Sequence, residues 1–203
     1  MSTPYEESGR TGQKKRTRDA LLAAARELVA RGLVPTIEDA AAGAEISRTT
    51  AYRYFPNQRT LLAAAHPETA VRSLLPEEPP MDPAERLDAA VATLTSLIIA
   101  TEAQQRTMLR LSLEKDRDAD APLPLRQGRA IAWLAEALAP LSDRMSEAQL
   151  HRLVLAIRSA VGVEALVWLT DIAGLSSEQA VDVMRWSGSA LLRSALDHNP
   201  PPV

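Results

Sequence analysis

Residues 36–62, TIEDAAAGAEISRTTAYRYFPNQRTLL, set two short helices, a tight turn and the start of a third helix in one continuous stretch. Thr36 stands as an N-cap before Ile37, Glu38 and Asp39, with Asp39 completing a capping-box-like pattern at the positive helix end. Ala40, Ala41 and Ala42 continue a helix at low entropic cost, and Gly43 is expected to end it in the left-handed conformation. Ile46 anchors the turn. Ser47 caps a second helix from Arg48 to Tyr54, which Pro56 stops. Two helices joined by so few residues form a helix-turn-helix. Ala51 and Phe55, four apart, face inward, so Arg48, Thr49, Thr50, Tyr52, Arg53 and Tyr54 cannot all be buried. A helix offering arginines, hydroxyls and phenols suits a major groove and its phosphates.

The run Ala51-Tyr52-Arg53-Tyr54-Phe55-Pro56-Asn57 resembles the signature of the TetR family of bacterial transcription regulators, and the likeness extends over residues 16–65. The resemblance implies an all-α chain of about nine helices. An N-terminal three-helix domain with the helix-turn-helix would precede a helical ligand-binding and dimerisation domain. It further implies a homodimeric repressor on a palindromic operator in double-stranded DNA, released by a small-molecule effector. One position departs from the pattern: the family usually carries a lysine where this chain has Gln58, leaving Arg59 or the N–H groups of that helix end to meet the phosphate. The candidate DNA contacts are Lys15, Arg16, Arg18, Thr36, Ser47, Arg48, Thr49, Thr50, Tyr52, Arg53, Tyr54, Gln58 and Arg59.

Charge follows the same division. The net charge of −3 separates into +3 over residues 1–75 and −6 over residues 76–203. No acid occurs from residue 8 to residue 18, where Arg10, Lys14, Lys15, Arg16 and Arg18 cluster, as a flexible arm over phosphates would require. Leu21, Ala25, Leu28 and Val29 then recur at helical spacing from about Thr17 to Arg31, and Gly32 ends that helix. Asn57 caps a fourth helix that His66-Pro67 interrupts, as a hinge or as a local irregularity.

The prolines of PEEPPMDP, residues 76–83, cannot enter a helix interior and mark a boundary between residues 1–75 and residues 76–203. Asp82-Pro83-Ala84-Glu85 opens a helix to about Thr101, with Leu87, Val91, Leu94, Leu97 and Ile98 inside. Further helices are expected over 104–115 and 125–139. Ser146 with Gln149, and Ser176 with Gln179, begin two long ones, to about Thr170 and Leu196. These last two are apolar nearly all round, which requires cover on more than one side. A homodimer provides it if the two helices of each chain form a four-helix bundle. Gly162, Val163, Leu166, Val167, Met184, Trp186, Gly188 and Leu191 are the candidate interface, with Gly162 and Gly188 permitting close helix approach. Met108, Leu111, Trp133 and Trp168 are candidate pocket residues, being large and on interior stripes; Arg158, with Glu164, is polar within an apolar helix and can orient a ligand or form an ion pair.

Composition narrows the alternatives. The chain of 203 residues has 8 glycines, 3% aromatics and no cysteine, which favours helices and removes disulfides, thiol nucleophiles and cysteine-ligated metals. His66, His151 and His198 lack metal-ligand spacing, and no Gly-rich phosphate loop or activated nucleophile appears. No enzymatic activity and no cofactor are therefore expected. Without an apolar run near 18 residues, and with a polar N-terminus, a cytoplasmic protein away from the membrane is expected. The competing class is a helix-turn-helix scaffold acting as a protein-interaction module without an inducer.

Overall fold

The computed structural model describes residues 4–66, 68, 71–113 and 128–197. Every regular element among them is helical. Two compact units are present: one holds the N-terminal helices together with the chain from Ala103, the other holds residues 70–102 and the C-terminal helices.

The first unit contains α1 (Pro4–Ala30), α2 (Ile37–Gly43), α3 (Arg48–Tyr54), α4 (Gln58–Ala65) and all of α6 (Glu102–Leu113) but its first residue. Leu21, Leu22 and Ala25 of α1 pack with Ile37, Ala40 and Ala41 of α2, Ala51 of α3, Phe55 beyond it, and Leu61 and Ala65 of α4. A second cluster joins Val29, Leu62, Ala63 and Met108, with Val34 and Leu111 against it. The expected division at Pro76 did not anticipate that α6 would group with the N-terminal helices. Met108 and the bond from the Gln104 amide to the Arg26 carbonyl, 3.2 Å, tie it there.

α1 begins far ahead of Thr17, so the basic segment expected as a flexible arm lies on a helix. Before Thr17 the helix carries Glu, Gln, Lys and Arg, which suit it, beside Gly9 and Gly12, which do not, and no apolar stripe, so periodicity alone is blind to it. The other end is as expected: Gly32 has φ +78°, and its N–H donates to Val29 O at 2.9 Å. α4 stops at Ala65, with His66 in the extended conformation that a following proline favours.

The second unit contains α5 (Pro83–Ala100), α7 (Arg129–Leu138), α8 (Glu147–Ala160), α9 (Val163–Val167) and α10 (Ser177–Leu196). Asp82 accepts from Ala84 N and Glu85 N at the start of α5. Both capping boxes form, Ser146 with Gln149 and Ser176 with Gln179. Leu87, Leu94, Leu134, Leu138, Leu153, Ile157, Leu166 and Met184 make the buried centre. Residues 125–127 of the helix expected over 125–139 lie outside the described residues, as does His198.

The long helix expected from Ser146 to Thr170 is broken. Val161 and Gly162 are extended, and after α9 the chain widens into a π-helical turn at Trp168–Ile172. Across the break Arg158 donates to the Val161 carbonyl at 3.2 Å and to Glu164 Oε2 at 3.2 and 3.3 Å. The segment Glu147–Ile172 also contains an 18-residue window of mean hydropathy 1.7. By length and composition alone it is apolar enough to cross a membrane, although Arg158 and Glu164 fall within the segment. Only 44% of that window is buried, so its apolar surface divides between the core and the exterior.

Candidate nucleic-acid interface

The helix-turn-helix is built from its caps outward. Asp39 N donates to Thr36 Oγ1 at 3.1 Å, and Thr36 N returns a bond to Asp39 Oδ2 at 2.8 Å. The carboxyl of Asp39 is held below its ordinary value, first by that backbone N–H and then by the Thr36 hydroxyl. The turn differs from expectation in one respect: the left-handed residue is Glu45, φ 56°, and Gly43 is the last residue of α2. Gly43 serves packing instead, since a Cβ there would approach the Ala24 methyl to 3.2 Å. Ile46 N closes the turn onto Ala41 O at 2.9 Å.

On α3, Ser47 Oγ accepts from Thr50 N at 3.3 Å and donates to Thr50 Oγ1 at 2.8 Å. Ala51 and Phe55 are buried, Tyr54 is half-buried against the same cluster, and Thr50 is half-buried. Arg48, Thr49, Tyr52 and Arg53 remain exposed. The inward and outward sets are those the i, i+4 spacing predicts, except that Tyr54 belongs largely to the core.

Thr36 and Ser47 are engaged as caps, and Gln58 donates its amide to the Pro35 carbonyl at 2.9 Å. The residue standing where a lysine was expected therefore braces the chain entering α2. Arg59 is half-buried on α4. Lys15, Arg16 and Arg18 are exposed on α1; Arg16 bonds Gln13 at 2.8 Å, and the Arg18 guanidinium lies 5.5 Å from the Phe55 ring centroid. That stacking fixes Arg18 beside the end of α3.

Glu38 was absent from the candidate residues. Its Oε1 accepts from Arg48 Nη2 at 3.1 Å and from the Tyr52 hydroxyl at 2.8 Å. The Tyr52 bond is the leading cause that lowers the Glu38 carboxyl, and the same bond raises the Tyr52 phenol. Partners 10 and 14 residues away leave no local pattern in a sequence, so this contact was not legible there.

The C-terminal candidates separate. Met108 and Leu111 pack in the N-terminal unit. Trp133 is buried in the second unit with its indole N–H on Arg72 O at 2.9 Å, and Arg158 is engaged across the helix break. Trp168, expected on an interior stripe, is 58% exposed. None of these five lines the groove of about 490 Å³ between the end of α5, at Ile99 and Ala100, and the start of α10, at Val181 and Asp182.

Of the candidate interface, Val163, Leu166, Met184 and Gly188 are buried within the chain itself. Gly188 allows close approach, but to Val91 and Val161 of the same chain, each 3.7 Å from an added Cβ. Gly162 instead leaves room for the Arg158 guanidinium. Trp186 is 67% exposed, and Val167 and Leu191 are half-buried. Leu155, Trp168, Ile172 and Val183 add exposed apolar surface on α8–α10.

Residues 21–65 match the family model described as bacterial regulatory proteins, tetR family. No curated protein matches the sequence of this chain. Among solved structures, the fold is similar to that of a TetR transcriptional regulator from Rhodococcus sp. RHA1, with TM-score 0.59 and 18% identity over 89% of this chain and 98% of that one. It is likewise similar to full-length TylP, a TetR regulator from Streptomyces fradiae, with TM-score 0.58 and 16% identity over 94% and 95% of the two chains.

Proposed function

We propose that this chain, whose residues 21–65 match the tetR-family model, is a cytoplasmic, homodimeric repressor that binds a palindromic operator and leaves it when a small molecule binds. The observation that carries the reading is the exposed row Arg48, Thr49, Tyr52 and Arg53 on α3, backed by buried Ala51 and Phe55. A short helix held rigidly from behind, with donors in front, can enter a major groove as a unit.

Dimerisation is supported by the exposed Trp168, Ile172, Val183 and Trp186 on α8–α10, since a monomer in water gains nothing by displaying them. Two readers related by a two-fold axis select half-sites about 34–36 Å apart or a multiple of that. Release requires an effector that binds the DNA-incompetent arrangement more tightly than the competent one.

Selection from a random duplex library, followed by titration at several salt concentrations, tests the DNA reading. A preferred, inverted-repeat sequence with steep salt dependence is the expected result. Equal affinity for selected and scrambled duplex at every salt concentration would sink it. Arg48→Ala is expected to weaken the selected duplex by about 1–3 kcal/mol, with the association state unchanged.

A further inference from the structure

We infer that Glu38 is a specificity element of the α3 face: it holds Arg48 and Tyr52 in the free protein and withholds them from DNA of arbitrary sequence. This rests on the reading of α3 as the helix that meets DNA.

Arg48 and Tyr52 lie one turn apart on the exposed side of α3, and both donate to the same oxygen of Glu38. The Arg48 side chain is 74% exposed and that of Glu38 is 32% exposed, so the carboxylate stands at the edge of the surface a duplex would approach. A phosphate seeking Arg48 must therefore compete with an anion already in place. The carboxylate also repels nearby phosphates, within a screening length of about 8 Å at physiological salt.

Every duplex encounters that opposition, whatever its sequence. A duplex that presents a base edge where Arg48 and Tyr52 already stand recovers the loss through directional bonds, such as those a guanidinium makes to guanine O6 and N7. One that offers only phosphates does not. Glu38 thus lowers sequence-independent binding more than sequence-dependent binding, which widens the ratio between them.

The test uses full-length wild type and Glu38→Gln, which keeps the side-chain shape and removes the charge, with the best-enriched duplex from random selection and a scrambled duplex of equal length. Glu38→Gln should tighten the scrambled duplex about five- to tenfold and steepen its log–log salt slope by about 0.9, as one further phosphate contact would. The selected duplex should gain less, so that discrimination falls. In an Arg48→Ala background the same substitution should tighten the scrambled duplex clearly less than in wild type, because the guanidinium it releases is gone and only the relief of direct repulsion and the release of Tyr52 remain. If wild type discriminates while Glu38→Gln leaves scrambled binding unchanged or weaker, the role assigned to Glu38 is overturned and the DNA reading stands. If wild type prefers neither duplex, the DNA reading itself fails and takes this inference with it.

Discussion

The guanidinium of Arg158 occupies the space beside Gly162 that a Cβ would need, and from there it donates to Val161 O and Glu164 Oε2. A glycine, an arginine and a glutamate thus join the two sides of the break between α8 and α9. The Arg158 side chain is 19% exposed and that of Glu164 39%, so the ion pair stands at the protein surface with its cation the more sheltered partner.

Gly162→Ala should displace that guanidinium and destabilise the chain by up to about 1 kcal/mol, the worth of the partly exposed bridge it breaks, since only the ends of flexible side chains must move. Urea unfolding of the two proteins measures it. An unchanged midpoint would mean that Arg158 moves aside without loss and that the bridge contributes nothing.

Thr36→Ala and Ser47→Ala should each cost about 1 kcal/mol by removing an N-cap. Thr36 takes part in bonds in both directions with Asp39, whereas Ser47 caps α3 without a carboxylate at the third position. The Thr36 variant should therefore unfold at lower urea. Reversal of that order would show that the capping box adds nothing to the single cap.

Acid should weaken the helix-turn-helix through Glu38 and Asp39. Both carboxyls are lowered in the folded chain from ordinary values of 4.5 and 3.8, so their contribution is full above those values and is lost as pH falls below them. Tyr52 acts in the opposite direction: its phenol is raised above 10.0, so its contribution holds below that value and is lost as pH rises through the folded one. Urea midpoints at pH 7, 4 and 3 should decline less for Glu38→Gln/Asp39→Asn than for wild type. Parallel declines would place the acid sensitivity elsewhere.

In the proposed dimer, Trp168→Arg and Trp186→Arg should each weaken self-association by about thirtyfold, as loss of an interface anchor does. Sedimentation velocity across a dilution series reads the change. Retention of the dimer by the double variant would show that the exposed tryptophans lie outside the contact.

The helix-turn-helix was legible because its signals are local. Thr36, Ser47, Ser146 and Ser176 each declare a helix start to residues within one turn, and all four caps form as expected. Ala51 and Phe55 reveal the inward side of α3 in the same manner. The amphipathic stripe of α1 was visible too, although its polar extension toward Pro4 was not.

Composition, caps and helical periodicity determined that the regular elements among the described residues are helices, where most of them begin, and which short helix carries the exposed donors. Tertiary structure alone decided what those donors touch. Glu38 meets Arg48 and Tyr52, Gln58 meets Pro35, and Arg158 bridges a break that no proline marks, because folding brings together groups on different turns and different elements. It also decided which apolar residues remain outside: α8–α10 are apolar on several sides, and only packing chose to bury Met184 and Leu166 and to leave Trp168 and Trp186 exposed.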